Sequence, residues 1–293
     1  MLAVPAKIAR CKEIVMCSPP DKNGNIAAEI LYTASVCGVT TIFKVGGIQA
    51  IATMTFGTEC IPKVYKIFGP GNQYVTLAKQ HATKYGVAID MPAGPSELLV
   101  LADESAEPEF IAADLLSQAE HGVDSQVVLV ALSRNTLRQV EKQVSKQMES
   151  LPRREIVKKV MDHSKLIYTD SKVKAIDFVN DYAPEHLIIA TKDNDIFVDR
   201  IENAGSVFLG VYTPESAGDY ASGTNHTLPT NGFSKVFSGV NLDSFQKSIT
   251  FQKISKEGLK NIGETIETMA ESEGLQAHRN AVSIRLKKLT HGN

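Results

Sequence analysis

Short apolar runs of strand character alternate with amphipathic segments of helix character along most of this chain. That alternation limits the fold more than any other feature does. Residues 14–17 form a brief apolar run ended by Ser18-Pro19-Pro20, and a helix is expected over 26–37, with Ala27, Ile30, Leu31 and Ala34 on its apolar side. Strands are then expected at 40–45, 64–68, 87–91 and 98–101, with helices at about 49–56 and 74–85 between them. Parallel strands need a crossover, usually a helix, so the chain predicts an α/β fold with helices on both faces of mostly parallel sheets.

The turn-forming word Ala93-Gly94-Pro95-Ser96 interrupts the rhythm, which predicts a domain crossing there. Beyond it, Glu107-Pro108 opens a helix running to His121, with Gly122 at the position of a left-handed helix stop. Strands follow at 127–131, 166–169, 187–190 and 206–209, with helices at 135–149, 153–162, 172–181 and 196–203. After about residue 243 the strand pattern ends, and 256–271 with 274–288 read as a helical tail. The expected organisation is three parts, 1–95, 96–242 and 243–293. The first two are βαβ halves that suggest a duplicated architecture. Residues 1–10 read as the end of a helix entering the first strand, leaving an open sheet edge.

Composition excludes several functions. Across 293 residues, 43% apolar and 22% charged residues suit an ordinary globular protein, and a net charge of −2 provides no basic field for nucleic acid. No apolar run reaches membrane-spanning length and the N-terminus lacks a secretory pattern, so a cytoplasmic protein is expected. The four cysteines, Cys11, Cys17, Cys37 and Cys60, include no C-x-x-C pair and read as free buried thiols.

Chemistry-bearing residues cluster in four words: Ser117-Gln118-Ala119-Glu120-His121-Gly122, Ala183-Pro184-Glu185-His186, Glu215-Ser216-Ala217-Gly218-Asp219 and Glu273-Gly274-Leu275-Gln276-Ala277-His278. Gln118 and His121 are spaced to share a helix face. The set offers nitrogen and oxygen ligands for a borderline metal such as zinc, with a carboxylate and an imidazole left for proton transfer. Each word has a plainer reading. His121 could be a dipole partner at a helix C-terminus, Asp219 an Asx-turn in the loop 218–223, and His278 a surface residue. Glu185 and His186 precede a strand and share a site only if Pro184 turns the chain. His226 is a further possible ligand, whereas His81, His163 and His291 read as solvated. Gly69-Pro70-Gly71-Asn72 lies between strand and helix, where backbone N–H groups could meet a phosphate or simply form a tight turn.

As a set and in this order, the words resemble the histidinol dehydrogenase family over nearly the whole chain. The resemblance is carried by Phe68-Gly69-Pro70-Gly71-Asn72, Asp90-Met91-Pro92-Ala93-Gly94-Pro95-Ser96-Glu97, the word ending at Gly122, Pro184-Glu185-His186-Leu187, and the run from Pro214 to His226. It implies two incomplete Rossmann-like parallel-sheet domains, the second carrying the zinc and acid/base residues, plus a helical dimerisation tail. It also implies the last step of histidine biosynthesis: oxidation of L-histidinol to L-histidine through an aldehyde, with two NAD and one Zn2+ per site. By resemblance, Gln118, His121, Asp219 and His278 match the zinc ligands, and Glu185 and His186 the acid/base pair. Ser96 and Glu273 join the ligands and His186 around the substrate, while Gln49 and Asn72 match cofactor-site residues. A homodimer is implied, with Glu273 and His278 reaching into the partner's site. An ionised Glu185 and a neutral His186 are expected near neutral pH.

Members of that family extend further at the N-terminus, where a Tyr contacts the cofactor. The chain is therefore expected to be N-terminally truncated, to bind zinc, and to oxidise histidinol poorly. Two alternatives remain at this stage: a catalytically impaired fragment that binds zinc and dimerises, and a zinc hydrolase that uses Glu185 to activate water without NAD.

Overall fold

The computed structural model describes residues 1–290, so His291 lies outside the described residues. The chain forms two compact units, one spanning Met1–Gln246 and one beginning at Lys247. The first opens with α1 (Ala3–Ile8), β1 (Val15–Cys17), α2 (Ala28–Val36), β2 (Thr41–Phe43), α3 (Gly47–Phe56), β3 (Lys66–Ile67), α4 (Gln73–Ala82) and β4 (Ala88–Ile89). Its strands form two separate parallel pairs, β1 with β2 and β3 with β4. The expected strand 64–68 shrinks to Lys66–Ile67 because the Val64 N–H is already bonded to the Met54 carbonyl at the end of α3. The four cysteines are free thiols, but Cys60 is exposed and the other three only half-buried, because these two-stranded pairs are too small to cover them.

The core follows in β5 (Glu97–Ala102), α5 (Pro108–Ala119), β6 (Gln126–Ala131), α6 (Arg134–Met148), α7 (Arg154–His163), β7 (Lys165–Tyr168), α8 (Lys172–Tyr182), β8 (His186–Ala190), α9 (Asp195–Val198), β9 (Ser206–Leu209) and α10 (Glu215–Tyr220). The five strands form one sheet in the order β7-β6-β5-β8-β9, every pair parallel. β5, β6 and β8 read as continuous apolar runs because both sheet faces are covered. Leu98, Val100, Ile188 and Phe208 pack beneath α5, α6 and α7. Leu99, Leu101, Leu187 and Ile189 pack on the other face with Val179 of α8 and Phe197 of α9. Burying a Leu or Ile side chain contributes about 1.5–3 kcal/mol, so these two layers dominate the stability of this unit.

Three local expectations are corrected. α5 stops at Ala119 with Glu120 still in the right-handed helical region, and Gly122 has no positive φ. The helix expected over 196–203 is only Asp195–Val198, because the Asn180 carboxamide oxygen takes the N–H groups of Glu202 (2.8 Å) and Asn203 (3.3 Å) away from it. Asp219 lies on the short helix α10 and not in a loop.

The second unit is a helical hairpin, α11 (Lys256–Ser272) and α12 (Gln276–Thr290). Ser255 caps α11 by accepting the Gly258 N–H at 3.0 Å. The turn rests on Gly274, at φ 72°, with the Leu275 N–H returning to the Ala270 carbonyl at 2.8 Å. A β-carbon on Gly263 would lie 2.7 Å from Leu286, so glycine lets the helices close. Among the described residues, no helix is long and apolar enough to cross a membrane.

Candidate active site

The chemistry gathers at the amino-terminal edge of the five-stranded sheet. Glu97 is the first residue of β5 and His186 the first of β8. His186 therefore lies inside the strand it was expected to precede. The alternation of β8 puts it on the face of Ile188, beneath α5. Glu185 reaches the same place because the chain turns sharply before it. Ala183 adopts a left-handed φ of 52° at the end of α8, a conformation disfavoured for any residue with a β-carbon, and Pro184 follows. The sequence made the meeting depend on a turn at Pro184; the chain instead redirects at Ala183 and bends at Glu185, on either side of it.

The pair is tightly held. Glu185 Oε2 accepts the Glu97 N–H at 2.9 Å, and Glu97 Oε1 accepts the Asn231 N–H at 3.1 Å. His186 Nδ1 lies 3.1 Å from the Glu97 carbonyl and 3.5 Å from Glu185 Oε2. A carbonyl only accepts, so Nδ1 carries the proton in the neutral ring and Nε2 is left as the acceptor. Nε2 faces Glu215 Oε1 at 3.7 Å.

Burial dominates the electrostatics. It pushes His186 down to about 4, which keeps the imidazole neutral near pH 7. Burial, reinforced by the charges of Glu97, Asp219 and Glu215, pushes Glu185 well above the usual carboxylate range. In the metal-free protein the surroundings of Glu185 therefore work against the ionised form expected from the sequence. Glu97 and Glu215 are each raised to about 7, mainly by burial. Burial thus disfavours the charged forms of Glu97, Glu185 and Glu215 together, and a bound cation would offset that cost.

Gln118 carries the clearest sign of one. It is fully buried at the end of α5, and among the described residues neither its carboxamide oxygen nor its nitrogen has a hydrogen-bond partner, nor has Glu215 Oε1. Leaving such a group unpaired costs about 1–3 kcal/mol, so a buried amide with two empty ends suits a ligand-binding position. His186, Glu215 and Asp219 bring ligand atoms within 4.8 Å of one another. Asp219 is the residue of this trio expected as a ligand from the sequence. Its Oδ1 lies 3.6 Å from His226 Nδ1, with His226 partly exposed. Glu215 was given no role there. Its signal was present, since it stands one helical turn before Asp219, but reading that segment as a loop hid the shared face.

The remaining residues are placed as follows. His121 is exposed just beyond α5, and Ser96 immediately precedes β5, its carbonyl accepting the Gln126 N–H at 3.0 Å. Glu273 and His278 are exposed in the second unit, at the end of α11 and in the first turn of α12. Gln49 lies in the first turn of α3. Asn72 caps α4, its Oδ1 accepting the Tyr74 and Val75 N–H groups at 3.1 Å each. Both are exposed at helix N-termini that follow parallel strands, which suits the anionic part of a dinucleotide. His81 and His163 are exposed, His163 Nε2 lying 2.9 Å from the Ser125 carbonyl.

Comparison with known proteins agrees along the chain. The histidinol dehydrogenase family profile matches residues 1–286. The histidinol dehydrogenase of Bacteroides thetaiotaomicron is 62% identical over 289 residues, covering 99% of this chain and 68% of that protein. The chloroplastic enzyme of Arabidopsis thaliana is 57% identical over 292 residues, covering 99% of this chain and 63% of that protein. A crystal structure of histidinol dehydrogenase from Elizabethkingia anophelis superposes with a TM-score of 0.97 at 60% identity, covering 99% of this chain and 67% of that one. Fold, site words and relatives point the same way: the chain belongs to the histidinol dehydrogenase family and is of the oxidoreductase class.

Proposed function

We propose that this site oxidises L-histidinol to L-histidine through histidinal, passing two hydrides to NAD with a zinc ion in place. The observation that carries the reading is the fully buried carboxamide of Gln118 on α5, unpartnered among the described residues, next to Ser117, whose hydroxyl lies 3.5 Å from Glu215, the residue that faces His186. Gln118, His121 and Asp219 would hold the ion, with His278 of a second copy, and Glu215 stands beside Asp219 as a further oxygen donor. When bound, zinc would orient the substrate's imidazole and amine and favour the ionised carboxylates around it.

The chain's own residues supply proton handling and placement. His186 Nε2 would take the proton from the alcohol oxygen as the carbinol C–H gives up its hydride, which a bound NAD would accept. The Glu97 carbonyl fixes the tautomer that makes this possible. Glu185 takes a proton from the water that attacks the aldehyde, and the resulting hydrate yields the second hydride. Ser96 and Glu273 would bind the substrate, and Gln49 and Asn72 the cofactor. Ile262, Met269, Leu275 and Ile284 are exposed apolar residues of the helical hairpin, which supports its role as a dimerisation surface. The first test is NADH formation from histidinol by the zinc-loaded protein. No NADH from histidinol, together with NAD-independent cleavage of an ester or amide substrate, would favour the hydrolase reading instead.

A further inference from the structure

A buried ion pair outside the acid/base centre controls the loop Gly69-Pro70-Gly71-Asn72. Lys79 on α4 and Asp90 after β4 form a salt bridge with side chains only 2% and 0% exposed. Lys79 Nζ donates to the Gly69 carbonyl at 2.7 Å. Asp90 Oδ2 accepts the Gly69 N–H at 2.7 Å, while Oδ1 accepts the Met91 N–H at 2.7 Å. The two polar groups of Gly69 are thus held by opposite members of one ion pair. Gly69 has φ 127°, which residues with a β-carbon rarely adopt.

The rest of the loop is fixed from the other side. A β-carbon on Gly71 would lie 2.5 Å from the Val75 side chain, so the loop sits directly on α4. Asn72 seals the start of that helix through its two cap bonds. Strand β3, helix α4 and strand β4 therefore meet at Gly69, and the face left open carries Asn72.

Buried ion pairs are poor sources of stability, because desolvation offsets their attraction, and neutral replacements are often tolerated. What this pair supplies is position: a single placement of Gly69 relative to the helix N-terminus. We propose that Lys79 and Asp90 are positioning residues for the dinucleotide cofactor, acting through the Gly69–Asn72 loop. This rests on the reading of Asn72 as a cofactor residue.

The test uses the zinc-loaded chain with NAD+ as the probe, comparing the parent, a Lys79→Met/Asp90→Asn double variant, and Asn72→Ser, which keeps a capping oxygen but loses the amide. The double variant is expected to bind NAD+ at least about tenfold more weakly, since small misplacements at such sites are costly. Its zinc content should match the parent, and its thermal midpoint should be no lower. If Asn72→Ser weakens NAD+ binding and the folded double variant does not, the positioning role is overturned while the cofactor reading stands. If the parent fails to bind NAD+, or Asn72→Ser changes nothing, the cofactor reading fails and the proposal with it. Should the double variant not fold, Asp90→Glu decides. It keeps both charges and lengthens the reach by one methylene, so weakened NAD+ binding at unchanged zinc content supports the proposal and unchanged binding overturns it.

Discussion

His186 and Glu97 meet across the paired strands β8 and β5, with His186 Nδ1 3.1 Å from the Glu97 backbone carbonyl. This contact costs no side-chain chemistry, yet it sets which ring nitrogen can act as a base. It also places the imidazole on a strand packed on both faces.

His186→Asn keeps a donor of similar reach for the Glu97 carbonyl and removes the base. The alcohol step should fall by about a hundredfold or more. Glu185→Gln should spare that step and slow the aldehyde step, where water must lose a proton. Single-turnover measurements begun from histidinol and from histidinal separate the two. Equal losses in both steps for Glu185→Gln would show that the division of labour is wrong.

Gln118 should show a trade between stability and binding. Gln118→Leu removes two unpaired buried polar atoms, so the metal-free protein should gain on the order of 1 kcal/mol. The same change should lower zinc content. Thermal unfolding without metal and metal analysis after dialysis against zinc give the two readouts. A variant that retains zinc fully would remove Gln118 from the ligand set.

Glu97 makes stability pH-dependent. Its folded-state value is raised from 4.5 to about 7, chiefly by burial. The folded state therefore holds a proton that the unfolded state has released. The stabilising contribution is complete below the unfolded value and is lost as pH rises from 4.5 through about 7. Glu185 and Glu215 act in the same direction. In metal-free protein, Glu97→Gln should keep an acceptor for the Asn231 N–H and abolish this group's share. The parent's thermal midpoint should fall relative to the variant's across that window, with no further divergence above about pH 8. Parallel curves would contradict the assignment.

Much of this was legible in the sequence, for identifiable reasons. The strands β5, β6 and β8 announce themselves because two-sided burial demands unbroken apolar runs. Glu185 and His186 were found as a pair, with Pro184 named as the condition for their meeting. Glu215 was overlooked because the Gly- and Ser-rich composition around Asp219 favours a loop, and only packing against α5 and Phe208 makes it a helix. A β-carbon on Gly218 would lie 2.8 Å from the Phe208 ring, a contact that no local pattern encodes. The raised titration of Glu185 was equally hidden, since it comes first from burial in the folded chain and then from carboxylates distant in sequence, Glu97, Asp219 and Glu215. Asn180 shortened α9 by a side-chain contact more than 20 residues away.

A site completed by a second copy has a distinctive genetic signature. His121→Ala and His278→Ala chains should each lose the metal site when purified alone. Co-refolded, they should recover one intact site per hybrid dimer, read as bound zinc and NADH formation. Failure of the mixture to exceed either variant alone would place His278 outside the partner's site.

The most direct test is a count of NADH made per histidinol, with zinc-loaded protein in excess over substrate so that slow turnover does not obscure the result. The account expects two NADH and one histidine for each histidinol consumed, with both products lost on zinc chelation and in His186→Asn. Histidinol left unoxidised by the loaded protein, or consumed without NADH, would contradict it.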